Sequence, residues 1–138
     1  MKRGGHVMKL GAIVTGAIIG GVLRFCLSVW IPTPEGFPLG ILFINLSGSL
    51  LLGAFQAYVA QKSLPEWLIL GLSTGCIGTY TTFSSYCLGV QQLAIHHLGW
   101  AVFYALGSLI AGPLTAFFGE WMVNLSVRKL HAVKELSV

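Results

Sequence analysis

Long apolar stretches alternate with short polar connections along this chain of 138 residues. A helix needs about 20 apolar residues to cross the core of a bilayer. Four stretches meet that requirement, and they cover roughly residues 10–30, 39–60, 67–95 and 98–122. Pro38 and Pro65 mark two of the connections, as expected where helices stop. The pattern predicts an all-α membrane protein in which residues 1–138 form a single domain of four spans.

Composition supports a membrane protein and excludes an ordinary soluble domain. Hydrophobic side chains make up 55% of the chain and charged ones 9%, whereas about a quarter of a typical soluble domain is charged. The net charge of +4 comes from scattered terminal residues and not from a basic face interleaved with aromatics, so a nucleic-acid partner is not expected. Membrane lipid is the expected surrounding. Three cysteines without pairwise or ligand-like spacing predict no disulfide framework and no zinc site.

The positive charges predict the orientation of the chain in the membrane. With four spans both termini lie on the same side, and the opposite side carries only Glu35, His96 and His97. By the positive-inside rule, the basic side is cytoplasmic. The basic residues on that side are Lys2, Arg3, Lys9, Lys62, Arg128, Lys129 and Lys134.

The centre of the third stretch contains two glycines and a dense run of hydroxyl side chains between Ser73 and Tyr86. Non-helical backbone at membrane depth is tolerated only where protein or a water-filled cavity satisfies the freed carbonyls and amides. A break here would therefore mark an ion site. The alternative is an unbroken helix whose Ser and Thr hydroxyls bond back to their own turn. The spacing alone favours neither.

Three further polar features lie in otherwise apolar surroundings. Asn45 must bond either another helix or a conducted species, and the first role is the more common one. Tyr104 and Ser108 are four residues apart, so they share one helical face and could form a polar track. Arg24 is the only charge well inside a span, which makes it a candidate functional residue, with snorkelling to the interface as the alternative.

Three motifs in order give the chain a resemblance to a known family. They are GGVLRF at residues 20–25, INLSG at residues 44–48 and GCIGTYTTFSSY at residues 75–86. On these motifs the chain resembles the Fluc (CrcB-type) fluoride channels of bacteria over essentially its whole length. The resemblance implies an antiparallel, dual-topology dimer of four-helix subunits whose third helix is broken at mid-membrane. It also implies passive fluoride export across the bacterial inner (plasma) membrane, through two pores between the subunits, without catalysis.

The resemblance also assigns residues to roles. Phe83 and Tyr86 match a pair of pore phenylalanines, of which the second is replaced here, and Ile41 replaces a threonine common in the family. Arg24 matches a vestibule arginine. A structural sodium ion, held and not transported, is implied at the dimer centre on the backbone carbonyls of Gly78 and Thr81. The residues that match the family's polar track are Asn45, Thr82, Ser84, Tyr104 and Ser108.

Two questions about partners and function stay open at this level. The one-sided Lys and Arg distribution makes a heterodimer with a paralogous subunit of opposite topology an alternative to a homodimer. A proton-coupled small multidrug-type exporter has the same size and opposed dimers, but it needs an ionisable carboxylate deep in the first span. Residues 10–30 contain no Asp or Glu.

Overall fold

The computed structural model describes the backbone of residues 3–136 and the side chains of residues 4–34 and 36–129. Every regular element in this part of the chain is helical, which confirms the all-α prediction. The α-helices are α1 (Arg3–Trp30), α2 (Leu39–Gln61), α3 (Glu66–Leu70), α4 (Gly78–Tyr80), α5 (Phe83–His96) and α6 (Leu98–Leu136), with a π-helical segment (Gly71–Ile77) between α3 and α4 and a 3₁₀ turn (Pro34–Gly36) before α2.

Three of the four predicted spans are continuous helices. By length and apolarity the helical stretches Gly4–Trp30, Leu39–Gln61 and Leu98–Lys129 could each cross a membrane. The last helix runs past the predicted end at residue 122 and reaches Leu136. Its sequence becomes polar there but contains no Gly or Pro after Gly119, so nothing stops the helix. The charged end therefore projects beyond the apolar stretch.

The predicted third span is two half-helices. Residues 66–80 form the first, through α3, the π-helical segment and α4, and α5 forms the second. Between them Thr81 (ψ 154°) and Thr82 (φ −147°, ψ 121°) adopt extended backbone. The interruption lies midway between Glu66 and His96, three residues after Gly78. The continuous alternative is therefore wrong, and the polar run 73–86 contains the break.

Close backbone contact fixes the first half-helix against α1. A Cβ atom added at Gly16 would collide with the Gly71 carbonyl oxygen, and one at Gly20 would collide with the Cys76 carbonyl oxygen. Small residues are what allow membrane helices to approach this closely. On the other side of the molecule α2 packs against α6 in the same manner, with Gly53 against Ala116.

The interior of a single chain is small. Ile44 and Tyr104 are the largest fully buried side chains among those described, and Leu93 and Ala101 cluster around Tyr104. Most large apolar side chains lie on the outside, including Phe25, Leu109 and Phe117. A surface this apolar must be covered by lipid or by protein.

Candidate functional site

The break between the half-helices is stabilised locally by Thr82. Thr82 is the N-cap residue of α5, and its Oγ1 accepts a hydrogen bond from the Ser85 backbone N–H at 3.2 Å. Threonine suits this position because its hydroxyl satisfies one of the free donors at the start of a helix. The sequence thus restarts a helix directly after the extended pair Thr81 and Thr82.

Asn45 of α2 holds the same residue from across the bundle. Its Nδ2 donates to the Thr82 carbonyl oxygen at 3.0 Å, and its Oδ1 accepts from the Thr82 backbone N–H at 2.8 Å. One carboxamide therefore bonds both main-chain groups of a residue that has left the helix. Backbone groups away from water need such partners. This is the helix-bonding role that the sequence favoured for Asn45.

These bonds change which backbone carbonyls are occupied. In a continuous α-helix the N–H of residue i donates to the carbonyl of residue i−4. Thr82 would then donate to Gly78, and Ser85 would donate to Thr81. Here the Thr82 N–H goes to Asn45 and the Ser85 N–H goes to the Thr82 hydroxyl. The carbonyls of Gly78 and Thr81 thus lose their helical donors.

The carbonyl oxygens at the break are suitable ligands for a hard cation. Backbone carbonyl oxygens are ligands of the kind that hard cations prefer, and Gly78 and Thr81 both line the cavity described next. Sodium is a hard monovalent cation, so the two carbonyls that the resemblance assigned to it have the right chemistry.

A cavity of about 340 Å³ lies beside the break, between α2, the two half-helices and α6. It brings together seven of the ten residues to which the resemblance gave a role. Its apolar wall includes Leu42, Leu46 and Leu109. The seven are Asn45, Gly78, Thr81, Thr82, Phe83, Tyr86 and Ser108.

Phe83 and Tyr86, the two aromatic residues of the third span that line the cavity, differ in their surroundings. Phe83 is 78% exposed and lies at the outer rim of the cavity. Tyr86 lies further in, with its ring centroid 5.7 Å from that of Phe83 and 5.5 Å from that of Tyr104. Its hydroxyl donates to the Ala105 carbonyl oxygen of α6 at 3.0 Å. The group that distinguishes Tyr86 from phenylalanine is therefore bound within the protein.

Two hydroxyls on α6 are buried without a partner. The Oη atom of Tyr104 and the Oγ atom of Ser108 form no hydrogen bond within the described part of the chain. Tyr104 is only 2% exposed, so bulk water does not reach its side chain in this structure. Buried polar groups are normally bonded, and each exception needs an explanation. Of the two, Ser108 lines the cavity, so its hydroxyl is the one that an occupant of the cavity could reach.

Tyr104, Ser84 and Arg24 do not join the cavity wall formed by the described residues, although the Tyr104 ring packs against Tyr86, which does. Ser84 is exposed, and its Oγ lies 3.3 Å from the Thr82 Oγ1. Arg24 is half-buried on α1, about 9 Å from the end of that helix at the helical rise per residue. Arg24 forms no ion pair with an acidic side chain among residues 4–34 and 36–129. The ion pair in this part of the chain joins Lys9 to Glu66.

Sequence reasoning missed three residues that shape the site. Ser47 and Tyr80 are joined by a hydroxyl–hydroxyl bond of 2.8 Å that ties α2 to the end of the first half-helix. Ser73 lines the cavity, with its hydroxyl bonded back to the Ile69 carbonyl oxygen. Ser47 lies within the INLSG motif and the other two within the hydroxyl run, but nothing in the spacing pairs them.

Comparison with known proteins gives a consistent result over this region. The family model described as "CrcB-like protein, Camphor Resistance (CrcB)" matches residues 11–120, which include the break and every residue that lines the cavity. A protein of Moorella thermoacetica named "Fluoride-specific ion channel FluC 2" is 41% identical over 110 residues, which cover 78% of this chain and 88% of that protein.

Two further relatives carry similar names. A protein of Geobacillus kaustophilus, also named "Fluoride-specific ion channel FluC 2", is 36% identical over 112 residues, covering 78% of this chain and 87% of the relative. A protein of Chlorobium phaeobacteroides named "Fluoride-specific ion channel FluC" is 35% identical over 128 residues, covering 90% and 97%. Similarity of this extent spans nearly the whole length of each relative.

Proposed function

The chain belongs to the CrcB family, and on this premise we propose that it is a fluoride channel, a multi-pass protein of the bacterial plasma membrane that lets the anion leave the cytoplasm passively. The observation that carries the proposal is the pair of buried hydroxyls of Tyr104 and Ser108, which have no hydrogen-bond partner within the described part of the chain. The Tyr104 ring packs against Tyr86, and Ser108 lines the cavity. An anion that accepts two hydrogen bonds removes the cost of leaving these donors unbonded.

The groups around the cavity suit a small anion that has shed its water. Hydroxyls donate hydrogen bonds, and the edges of aromatic rings such as Phe83 carry partial positive charge. Conduction also requires that each site release the ion again. Neutral donors meet that condition better than a buried cation, and none of the described residues that line the cavity is charged. Ser108 and Phe83 are the principal fluoride contacts, with Thr82, Ser84 and Asn45 along the track.

A second subunit completes the pathway. The cavity is bounded by α2, the third span and α6, while Phe83 at its rim is 78% exposed in one chain. We assign each subunit four spans, counting the two half-helices as one, and an antiparallel arrangement that gives two pathways between the subunits. The strong excess of Lys and Arg on one side favours a partner of opposite topology, a paralogous subunit, over an identical chain.

A sodium ion at the dimer centre would be held by the carbonyls of Gly78 and Thr81. When bound, the ion supplies fixed positive charge at the junction of the subunits. This chain's contribution is the pair of oxygens relieved of helical donors at the break. An opposed second subunit would add its own pair. The ion is structural in this proposal and is not transported.

Reconstitution of the purified chain into liposomes, with a fluoride electrode following efflux, tests the proposal. Fluoride efflux that exceeds chloride efflux is expected from the chain with its partner. The heterodimer predicts poor flux from the chain alone, restored by the co-expressed paralogue. Robust flux from the lone chain would remove the heterodimer and keep the channel. Absence of fluoride flux from both preparations, with intact dimers by size-exclusion chromatography, would contradict the channel itself.

A further inference from the structure

We propose that Asn45 and Thr82 are positioning residues whose side chains keep the carbonyls of Gly78 and Thr81 free to bind a cation. The inference rests on the proposed sodium site. It assigns to the side chains of two residues a role in building that site, although neither side chain is itself a ligand. The Asn45 carboxamide and the Thr82 hydroxyl take the two N–H groups that would otherwise donate to those carbonyls.

The first step of the argument concerns Asn45 and Gly78. The first half-helix ends in helical geometry, since the Thr81 N–H still donates to the Ile77 carbonyl at 3.0 Å. One further helical residue would bring the Thr82 N–H onto the Gly78 carbonyl, the standard bond of a helix. Asn45 Oδ1 instead accepts that N–H at 2.8 Å, and its Nδ2 holds the Thr82 carbonyl. Without this carboxamide, the lowest-cost partner for the Thr82 N–H is Gly78.

The second step concerns Thr82 and Thr81. The Ser85 N–H would meet the Thr81 carbonyl if the second half-helix extended by one residue toward its N-terminus. The Thr82 hydroxyl accepts that N–H at 3.2 Å and so ends the helix at Phe83. The Thr82 hydroxyl therefore keeps the Thr81 carbonyl free of a helical donor, as the Asn45 carboxamide does for the Gly78 carbonyl. One residue of α2 and one at the break each release one carbonyl.

The bonding of Asn45 also separates it from the hydroxyls of Tyr104 and Ser108. Those hydroxyls are buried and without partners in the described part of the chain, as free ligands for an anion would be. Asn45 has its Oδ1 and one Nδ2 hydrogen engaged with Thr82. Its main effect is therefore on the backbone of the break. This distinction can be measured, because sodium binding and fluoride efflux are separate readouts.

The experiment measures the melting temperature of the purified assembly against sodium concentration, with N-methylglucamine replacing sodium at constant ionic strength. Fluoride efflux is measured separately on the same preparations. Asn45→Leu removes both bonds to Thr82. Asn45→Asp keeps an acceptor for the Thr82 N–H. Ser47→Ala is the matched control, since Ser47 also bonds across from α2, to the Tyr80 hydroxyl, without touching the break.

We expect Asn45→Leu to raise the sodium concentration that gives half-maximal stabilisation by about tenfold or more. A change of this size corresponds to the free energy that roughly one hydrogen bond contributes. Asn45→Asp should keep or lower that concentration while reducing fluoride efflux, because a carboxylate retains the acceptor but repels the anion. Ser47→Ala should leave the sodium dependence within about twofold of wild type.

Wild-type sodium dependence in Asn45→Leu would overturn the proposal, and so would an equal shift in Ser47→Ala. If Asn45→Leu does not fold, Thr82→Val replaces it, since this variant removes the hydroxyl cap and keeps the side-chain shape. An unchanged half-maximal sodium concentration in Thr82→Val would then count against the idea. Sodium-dependent stability without fluoride efflux in the wild type would contradict the proposed channel and leave the inference about Asn45 and Thr82 intact. Fluoride efflux without any sodium dependence would contradict that inference and leave the channel intact.

Discussion

On the side that faces α1, the first half-helix lies so close to Gly16 and Gly20 that a single methyl group on either would strike backbone atoms. On the side that faces α2 and α6, the same span borders a cavity of about 340 Å³, with two carbonyls released from the helix and Phe83 largely exposed. The first face is closed by contacts within one chain. The second is open and carries a few polar groups in a largely apolar wall.

The difference separates the contacts that hold the subunit together from the groups that the proposed ion pathway would use. The closed face leaves no space for an added side chain, because backbone packs against backbone there and cannot move aside as a side chain can. The open face retains unbonded donors and acceptors that one chain does not satisfy. A ligand or a second subunit gains most where a single chain leaves polar groups unsatisfied. Substitutions on the closed face should therefore reduce stability and recovery of the protein, whereas substitutions on the open face should mainly change fluoride efflux.

The largest effect is expected from Gly16→Leu on the closed face. The new side chain would collide with the Gly71 carbonyl and the Cys76 N–H, so we expect a loss of more than about 3 kcal/mol and little or no monodisperse protein. The check is recovery by size-exclusion chromatography. Gly11→Leu is the control on the same helix, because nothing lies within 4 Å of a Cβ at that position. Normal recovery of Gly16→Leu would show that the closed face is not packed as described.

Phe83→Ile should impair fluoride efflux at the open face without affecting the folding of the subunit. Phe83 is exposed at the cavity rim, so the fold does not depend on its burial, whereas the pathway loses an aromatic edge. We expect fluoride efflux to fall by about a hundredfold or more, equivalent to about 2.7 kcal/mol in the barrier, while assembly is unchanged. Phe117→Ile, at a position outside the cavity that is 68% exposed, should conduct normally. Unchanged efflux in Phe83→Ile would refute its role in the pore.

Tyr104→Phe should change stability and function in opposite directions. Its hydroxyl is buried and has no partner among the described residues, so removal should stabilise the fluoride-free protein by about 1 to 3 kcal/mol and lower fluoride efflux. The thermal midpoint and liposome efflux measure the two effects. Tyr80→Phe makes the same chemical change at a hydroxyl bonded to Ser47, and it should destabilise. A loss of stability in Tyr104→Phe would mean that its hydroxyl has a partner within the protein.

Tyr86→Phe should have the smallest effect. The hydroxyl donates to the Ala105 carbonyl, so its loss should cost about 0.5 to 1.5 kcal/mol of stability. Fluoride efflux should stay within about twofold of wild type, because the ring remains and the hydroxyl is already engaged. Denaturation midpoints and the same efflux assay provide the comparison. A tenfold change in efflux would place the Tyr86 hydroxyl in the pathway and not in the bond to α6.

The sequence by itself determined the all-α class, the membrane environment and the outer bounds of the apolar stretches. These follow from local properties: the length of an apolar run fixes how far a helix can cross a bilayer, and Pro38 and Pro65 lie at the starts of α2 and α3, where proline is tolerated. The motif at residues 75–86 also identified the region of the break and the family.

Only the tertiary structure decided where the third span breaks and which polar groups are free there. The spacing of glycines and hydroxyls allowed a continuous helix, because the decisive partner of Thr82 is Asn45, 37 residues earlier and on another helix. Ser73 bonds its own turn, while Ser108 has no partner within residues 4–34 and 36–129, a difference that depends on neighbouring helices and not on residue type. A hydrogen bond to a distant residue leaves no periodic signal in the sequence, so only folding reveals it.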